Sequence, residues 1–354
     1  MDTSIAIDFD NLVFSLQKTG GGSIYWANLI SRAVNSESFD VVFHDRTDSR
    51  LNLQRKLIEN SIDSCRCVYS NLPLRIDEVS RVKVDRDCIF HSSYFRTTPN
   101  KHAINVVTIH DFICMKYFSG FVKHFQLNQM KAAVNHADAV ICISESTKND
   151  LFKYIPSSMN KNIEIIPQGY DTKTYRYNAA ERFKRVVFVG NRSVSYKNFG
   201  LAVESVSKLN DVELHIIGSP LNDDEVRLLG EYLPGRFVSH VYPESSEVSR
   251  LYNSSAALLY LSEYEGFGLP LLEAMASGCP VIAQNKSSIP EVAGDSCILL
   301  DKVSPSIIAN HIQRLCSFDN DFNALVESGL NRVRKYSWDQ TAESTFAFYK
   351  SLIN

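Results

Sequence analysis

Hydrophobic positions in this chain come in short continuous runs rather than in strict alternation. In the first half they fall at 4–9, 40–43, 87–91, 105–110, 138–144 and 163–168. Such runs predict strands buried on both faces, as in a parallel sheet covered by helices. Between them, residues 24–34 and a segment near 122–136 have helical spacing. A polar stretch at 171–184 interrupts the pattern. It then restarts, with strands at 185–190, 212–218, 237–242, 256–261 and 279–284 and helices at 199–209 and 269–277. Strand–helix alternation twice over predicts two doubly wound α/β domains in tandem. Near the end, Ser337 and Gln340 are spaced as a capping box, and Trp338, Thr345, Phe348 and Leu352 share one face of the helix that follows. No strand follows that helix, so the pattern leaves open which domain its apolar face covers. No internal repeat is visible.

Composition narrows the class. A chain of 354 residues suits two domains of about 150–200 residues each. A formal net charge of −3 gives no global attraction to nucleic acid, and no such partner is expected. Eight cysteines are scattered without metal-ligand spacing, and the one close pair, Cys65-x-Cys67, fits no common zinc pattern. Reduced thiols in a cytosolic protein are the expectation, ahead of a disulfide framework. The first residues lack a basic segment followed by a long apolar one, so no secretory leader is expected. No apolar run approaches the roughly 18 residues that span a bilayer, which leaves only peripheral membrane contact.

The stretch 263–283 carries the most chemistry. Glu265 precedes Gly266-Phe267-Gly268, then Leu269-Pro270, and Glu273 lies a few residues on. Proline is preset for the first turn of a helix, so a helix is predicted from about Leu269–Pro270 with Glu273 in its first turn. The glycines let the backbone turn sharply and expose N–H groups. A helix N-terminus beyond the carboxyl end of a strand is a ready phosphate site. Carboxylates on either side of it suit hydroxyls at both ends of a diphosphate, the shape of a nucleotide-sugar.

These residues resemble a known family. Two glutamates eight residues apart with the glycine turn between them, followed by ASGCPVIA, are similar to the donor loop of family 4 retaining glycosyltransferases of the GT-B fold. The resemblance runs along most of the chain: GGGSIYWANL (20–29), VTIHDF (107–112), ADAVICISESTKNDL (137–151), IIPQGYDTKTY (165–175) and VFVGNRSVSYKN (187–198) fall in the family's order. It implies two Rossmann-like doubly wound domains facing a cleft. One is an acceptor-side domain of residues 1–168, joined by a C-terminal helix (339–354) that crosses back to it. The other, 169–338, binds the nucleotide-sugar. It further implies that Glu265 touches the transferred sugar, that the backbone of Gly266, Phe267, Gly268 and Leu269 holds sugar hydroxyls, and that Glu273 holds the ribose. Arg192 and Lys197 would clamp the diphosphate, His110 would lie near the reacting sugar, and Gly21 and Gly22 would belong to a flexible loop near the donor phosphate or the acceptor.

The implied activity is transfer of a sugar, with retained configuration, from a nucleotide diphosphate to the hydroxyl of a glycan or polyprenyl-linked glycan. Bacterial surface polysaccharide, O-antigen-like, is the pathway class that analogy suggests. Rival readings are a GT-B-shaped binding protein without activity and a GT-B epimerase. Glycoside hydrolysis does not explain Arg192, Lys197 or the helix N-terminus. The glycines at 20–22 lie too far beyond the first strand for a dinucleotide fingerprint, and Tyr25 stands where its third glycine would be needed. Asp8-x-Asp10, Asp85-x-Asp87 and Asp319-x-Asp321 look like metal–diphosphate motifs. Short acidic triplets arise by chance, and the two cations already supply positive charge, so neither metal nor other cofactor is expected. In 115–131, Lys116, Lys123 and Lys131 alternate with Tyr117, Phe118, Phe121 and Phe125. That mixture fits buried core or a surface docking on the inner face of the cytoplasmic membrane.

Overall fold

The computed structural model describes residues 4–18 and 20–353. The chain divides into two compact units, Met1–Gly169 with Trp338–Asn354 and Tyr170–Ser337. Each is built on its own parallel sheet.

In the first unit, β1 (Ile5–Asp10), β2 (Phe39–Arg46), β3 (Arg66–Ser70), β4 (Ile89–Ser92), β5 (Ile104–Ile109), β6 (Ala139–Cys142) and β7 (Asn162–Ile165) lie in the order β3-β2-β1-β4-β5-β6-β7. In the second, β8 (Arg185–Val189), β9 (Glu213–Gly218), β10 (Phe237–Val241), β11 (Ala257–Tyr260), β12 (Val281–Gln284) and β13 (Ile298–Leu300) lie in the order β10-β9-β8-β11-β12-β13. All pairs are parallel. The same reversal of strand order occurs in both sheets, although no repeat shows in the sequence: the topology recurs without its residues. Central strands β4, β6, β11 and β12 are buried at every position, as continuous apolar runs require.

Two strands lie outside the apolar pattern. Edge strand β3, RCVYS, is largely exposed, and β13 is three residues long. The helix predicted at 24–34 begins earlier, at Gly21, and runs to Val34; the one near 122–136 spans Gly120–His136. The C-terminal helix Trp338–Ile353 packs on the first unit. Trp338 meets Tyr25 edge-on at 6.3 Å, Phe346 meets Phe39 at 4.7 Å, and Thr341 Oγ1 donates to the Pro167 carbonyl at 2.9 Å. Its buried face is Trp338, Thr341, Ala342, Thr345, Phe348 and Tyr349, with Leu352 partly buried beyond them. All eight cysteines are free thiols, six of them buried.

Candidate functional site

In the second unit, strand order reverses between β8 and β11, so the chain leaves these neighbours toward opposite faces of the sheet and opens a crevice at their carboxyl ends. The β8 exit carries residues 190–198 and the β11 exit carries 261–268. The fold therefore brings Lys197 to Glu265, 68 positions away in sequence, with Nζ 2.6 Å from Oε1. Both side chains are mostly buried, at 14% and 11% exposure. The ammonium also stands 5.5 Å from the ring of Tyr196 and 5.8 Å from that of Tyr260, whose faces favour a cation. Burial and the neighbouring charge of Glu265 raise the Tyr260 hydroxyl well above its ordinary pKa, so it stays a donor.

The loop around Glu265 is fixed from β12's exit. Glu265 N–H donates to Ser287 Oγ at 2.8 Å, and Ser287 Oγ donates back to the Glu265 carbonyl at 3.0 Å. Ser288 Oγ donates to the carbonyls of Glu265 and Phe267, each at 2.9 Å. Ser287 holds φ at +51°, costly for a serine, and its side chain is aimed at the loop from that conformation. Gly268 has φ +118°, which a side chain would oppose, and it opens the helix Leu269–Ala276. Phe267 is buried with its ring edge-on to Tyr336 at 5.9 Å.

Glu273 lies in the second turn of this helix, not the first: Leu269 is the first helical residue and Pro270 the second. It is partly buried, and its carboxyl is pushed up to about 7 by burial and then by the charge of Asp171, against a hydrogen bond with Tyr175. Near neutrality this group is poised between acid and carboxylate.

Arg192 points elsewhere. Its Nε and Nη2 reach the two oxygens of Glu225 at 3.0 and 3.1 Å, and Nη2 also donates to the carbonyls of Ser219 and Pro220. Only 1% of the side chain is exposed, and the described structure gives Nη1 no partner. A Cβ on Gly218 would lie 3.0 Å from that Nη1 and 3.2 Å from the Gly190 carbonyl, so a glycine is needed where the two loops meet. Arg192 thus ties the β8 exit to Glu225, the third residue of a capped helix, Asp223–Tyr232.

In the first unit, His110 follows β5 and lines a cavity of about 300 Å³ together with Gly22, Thr108 and Asp111. Burial lowers its pKa to about 4, so the imidazole is neutral. Nδ1 lies 3.3 Å from Gln168 Nε2, the ring meets Tyr25 edge-on at 5.0 Å, and the carbonyl accepts from Thr147 Oγ1. Asp111 accepts from the N–H of Ile113. Gly21 is exposed in the first helical turn, with open space where a side chain would go.

Two of the three aspartate triplets have other occupations. Asp8 pairs with His44 and Arg86, each at 2.7 Å; Asp10 pairs with Arg96; Asp319 caps the helix Asn320–Val333. Among the described residues no group of three or more His, Cys, Asp or Glu could hold a metal ion. No described helix is long and apolar enough to cross a membrane.

Tyr175, Asp171, Tyr260, Ser287, Ser288 and Glu225 escape sequence reasoning. The one local signal is Ser287-Ser288, two hydroxyls between a strand and the proline-started helix Ile289–Ala293.

Comparison with known proteins gives consistent matches. Residues 171–332 match the family described as Glycosyl transferases group 1, and residues 78–174 match Glycosyltransferase Family 4. An O-antigen chain mannosyltransferase B of Escherichia coli is 35% identical over 111 residues, 31% of this chain and 29% of that protein. An MMP alpha-(1->4)-mannosyltransferase of Mycolicibacterium hassiacum is 26% identical over 66% of this chain and 58% of its own length. The matches thus span from under a third to about three fifths of these relatives. Among solved structures, Anabaena HepE in complex with UDP and glucose superposes with a TM-score of 0.73 at 15% identity, covering 99% of this chain and 100% of that one. Sucrose-phosphate synthase from Thermosynechococcus elongatus superposes at 0.72 and 18% identity, over 99% of both chains. The chain thus shares the fold of these solved structures and is similar, over residues 78–174 and 171–332, to the family 4 and group 1 glycosyltransferases.

Proposed function

We propose that this protein is a retaining glycosyltransferase, moving a sugar from a nucleotide diphosphate to a hydroxyl of a glycan or lipid-linked glycan. The observation that carries the reading is the Lys197–Glu265 contact at the reversal point of the second sheet, beside the helix that begins at Leu269. In this reading an arriving donor divides the pair. The diphosphate draws the ammonium, and the freed carboxylate accepts from a sugar hydroxyl. The N–H groups of Gly266, Phe267, Gly268 and Leu269 hold the rest of the sugar, and Glu273 takes the ribose hydroxyls. Lys197 then offsets the charge that develops on the departing nucleoside diphosphate. Arg192 assists the diphosphate clamp by fixing the loop that carries Lys197. His110, neutral and next to Gly22, is assigned to the reacting sugar, and Gly21 and Gly22 to the loop that accommodates it.

The similarity to an O-antigen chain mannosyltransferase of Escherichia coli supports a bacterial surface polysaccharide as the setting. An acceptor on a polyprenyl lipid would draw the protein to the inner face of the cytoplasmic membrane through residues 115–131. The test is a panel of nucleotide-sugars incubated with the purified protein, with and without glycan acceptors. One donor should be hydrolysed slowly and transferred quickly, and proton NMR of the product should show the donor's anomeric configuration. No turnover of any donor, despite saturable nucleotide binding, would leave a binding protein instead. Inverted product would sink retention.

A further inference from the structure

We propose that the second unit carries another ligand site, for the phosphate ester of a small polyhydroxylated molecule, away from the Lys197–Glu265 pair. A cavity of about 570 Å³ lies along the stretch that follows Tyr170, against the helix Ser245–Asn253. Lys173, Arg176 and Arg250 line it, and among the described residues none of these three side chains has a hydrogen-bond or ion-pair partner. Glu181 is the one acidic residue on the wall. Three like charges around one concavity focus a positive potential that a phosphate would relieve, and the two guanidiniums can each present a fork to its oxygens.

The floor is built to stay in place. Asn253, 5% exposed, accepts from Asn178 N–H at 2.6 Å and donates to the Arg176 carbonyl at 3.0 Å, so it clamps the stretch that carries two of the wall residues. The free hydroxyl of Ser246 and the carboxamide of Asn178 supply the neutral donors and acceptors that sugar hydroxyls need. The cavity also communicates with Glu273. Tyr175, between wall residues Thr174 and Arg176, is coupled to Glu273, whose charge adds to burial in raising the tyrosine's pKa. An occupant that orders this turn should therefore tighten nucleoside diphosphate binding. That coupling rests on the donor reading above; the binding itself does not.

Calorimetry on the full chain with glucose 1-phosphate, inorganic phosphate and glucose tests the site. Saturable binding is expected for the ester, weaker binding for inorganic phosphate and none for glucose. The double variant Arg176→Glu/Arg250→Glu should weaken the ester about tenfold or more, as loss of charge-assisted hydrogen bonds does. Both side chains are exposed and unpaired, so its melting temperature should match wild type. Lys197→Ala should bind the ester as wild type does. Ester binding lost in Lys197→Ala but kept in the double variant would put the phosphate in the donor site and overturn the proposal, as would glucose binding as tightly as its phosphate. Absence of any saturable ester binding would end it outright.

Discussion

At the scale of single residues, the site is a set of charges held in mutual compensation. Lys197 and Glu265 neutralise each other at 2.6 Å in a mostly buried setting. Removing one partner leaves the other desolvated and alone, so the two variants should differ in what they lose. Glu265→Gln keeps the shape of the loop and leaves Lys197 free for phosphate. It should bind bare nucleoside diphosphate at least as well as wild type while losing transfer. Lys197→Ala should weaken that binding and cost about 2–4 kcal/mol in the transition state, read from kcat/KM. Equal transfer by Glu265→Gln and wild type would remove Glu265 from the sugar. Glu273 allows a test by pH. Its carboxyl titrates near 7 instead of near 4.5, burial being the main cause. Between those values the folded chain holds a proton that the unfolded chain has released. Its contribution to stability is thus full below pH 4.5, falls as pH rises toward 7, and is level above. Glu273→Gln should therefore gain melting temperature relative to wild type across that window. Ribose hydroxyls favour the ionised form, so wild type should release a proton on binding nucleoside diphosphate near pH 6.5, seen as a buffer-dependent heat that Glu273→Gln lacks. Identical heats in the two proteins would take the ribose away from Glu273.

At the scale of elements, Arg192 shows what a linear pattern conceals. A cation after a strand and before a helix reads as a free phosphate ligand, but its partner Glu225 lies 33 positions on and serves two purposes. The Glu225 carboxylate accepts from the Asn222 N–H in a capping box and from Arg192 at the same time. Arg192→Ala would leave that buried acid without its cation, so a loss of about 3–5 kcal/mol in urea unfolding is expected, beside any loss of turnover. If turnover falls at unchanged stability, the guanidinium serves the ligand rather than the fold. The elements that could be read in advance are those whose burial writes itself into composition: β1, β5, β8, β11 and the helix with Pro270 in its first turn. Edge strand β3, with Arg66 and an exposed face, carries no such imprint. The amphipathic helices Asp223–Tyr232, Pro305–Leu315 and Asn320–Val333 are polar enough overall to pass as connections. Of the site, the glutamate loop was legible because glycine and proline mark backbone that only they tolerate. Ser287, Ser288 and Tyr175 were not, because a hydroxyl has no periodic signature and its role appears only when distant loops meet.

At the scale of the whole molecule, the question is where the protein works, and the segment 115–131 bears on it. Two uses were open for its aromatics, core or surface, and the fold divides them. In the helix Gly120–His136 only Met130, Ala133 and Val134 are buried, while Phe121 is 81% exposed, Val122 51% and the preceding Phe118 41%. Phe125 is partly buried and stacks on Phe121 at 5.9 Å. The lysines are less available than their number suggests, since Lys116 is held 3.2 Å from Asp150. A lysine near an anionic surface contributes about 1 kcal/mol and is screened by salt. Full burial of a large apolar side chain contributes about 1.5–3 kcal/mol and is not. If this face meets a membrane, the aromatics should therefore dominate, and binding to anionic liposomes should persist at high salt. Phe121→Ser/Val122→Ser should abolish flotation with such liposomes, whereas Lys116→Glu/Lys123→Glu should remove only the salt-sensitive part. Donor hydrolysis should be unchanged in both, because neither change touches the Lys197–Glu265 site. Equal flotation of Phe121→Ser/Val122→Ser and wild type, or none by wild type, would leave these side chains without a membrane role.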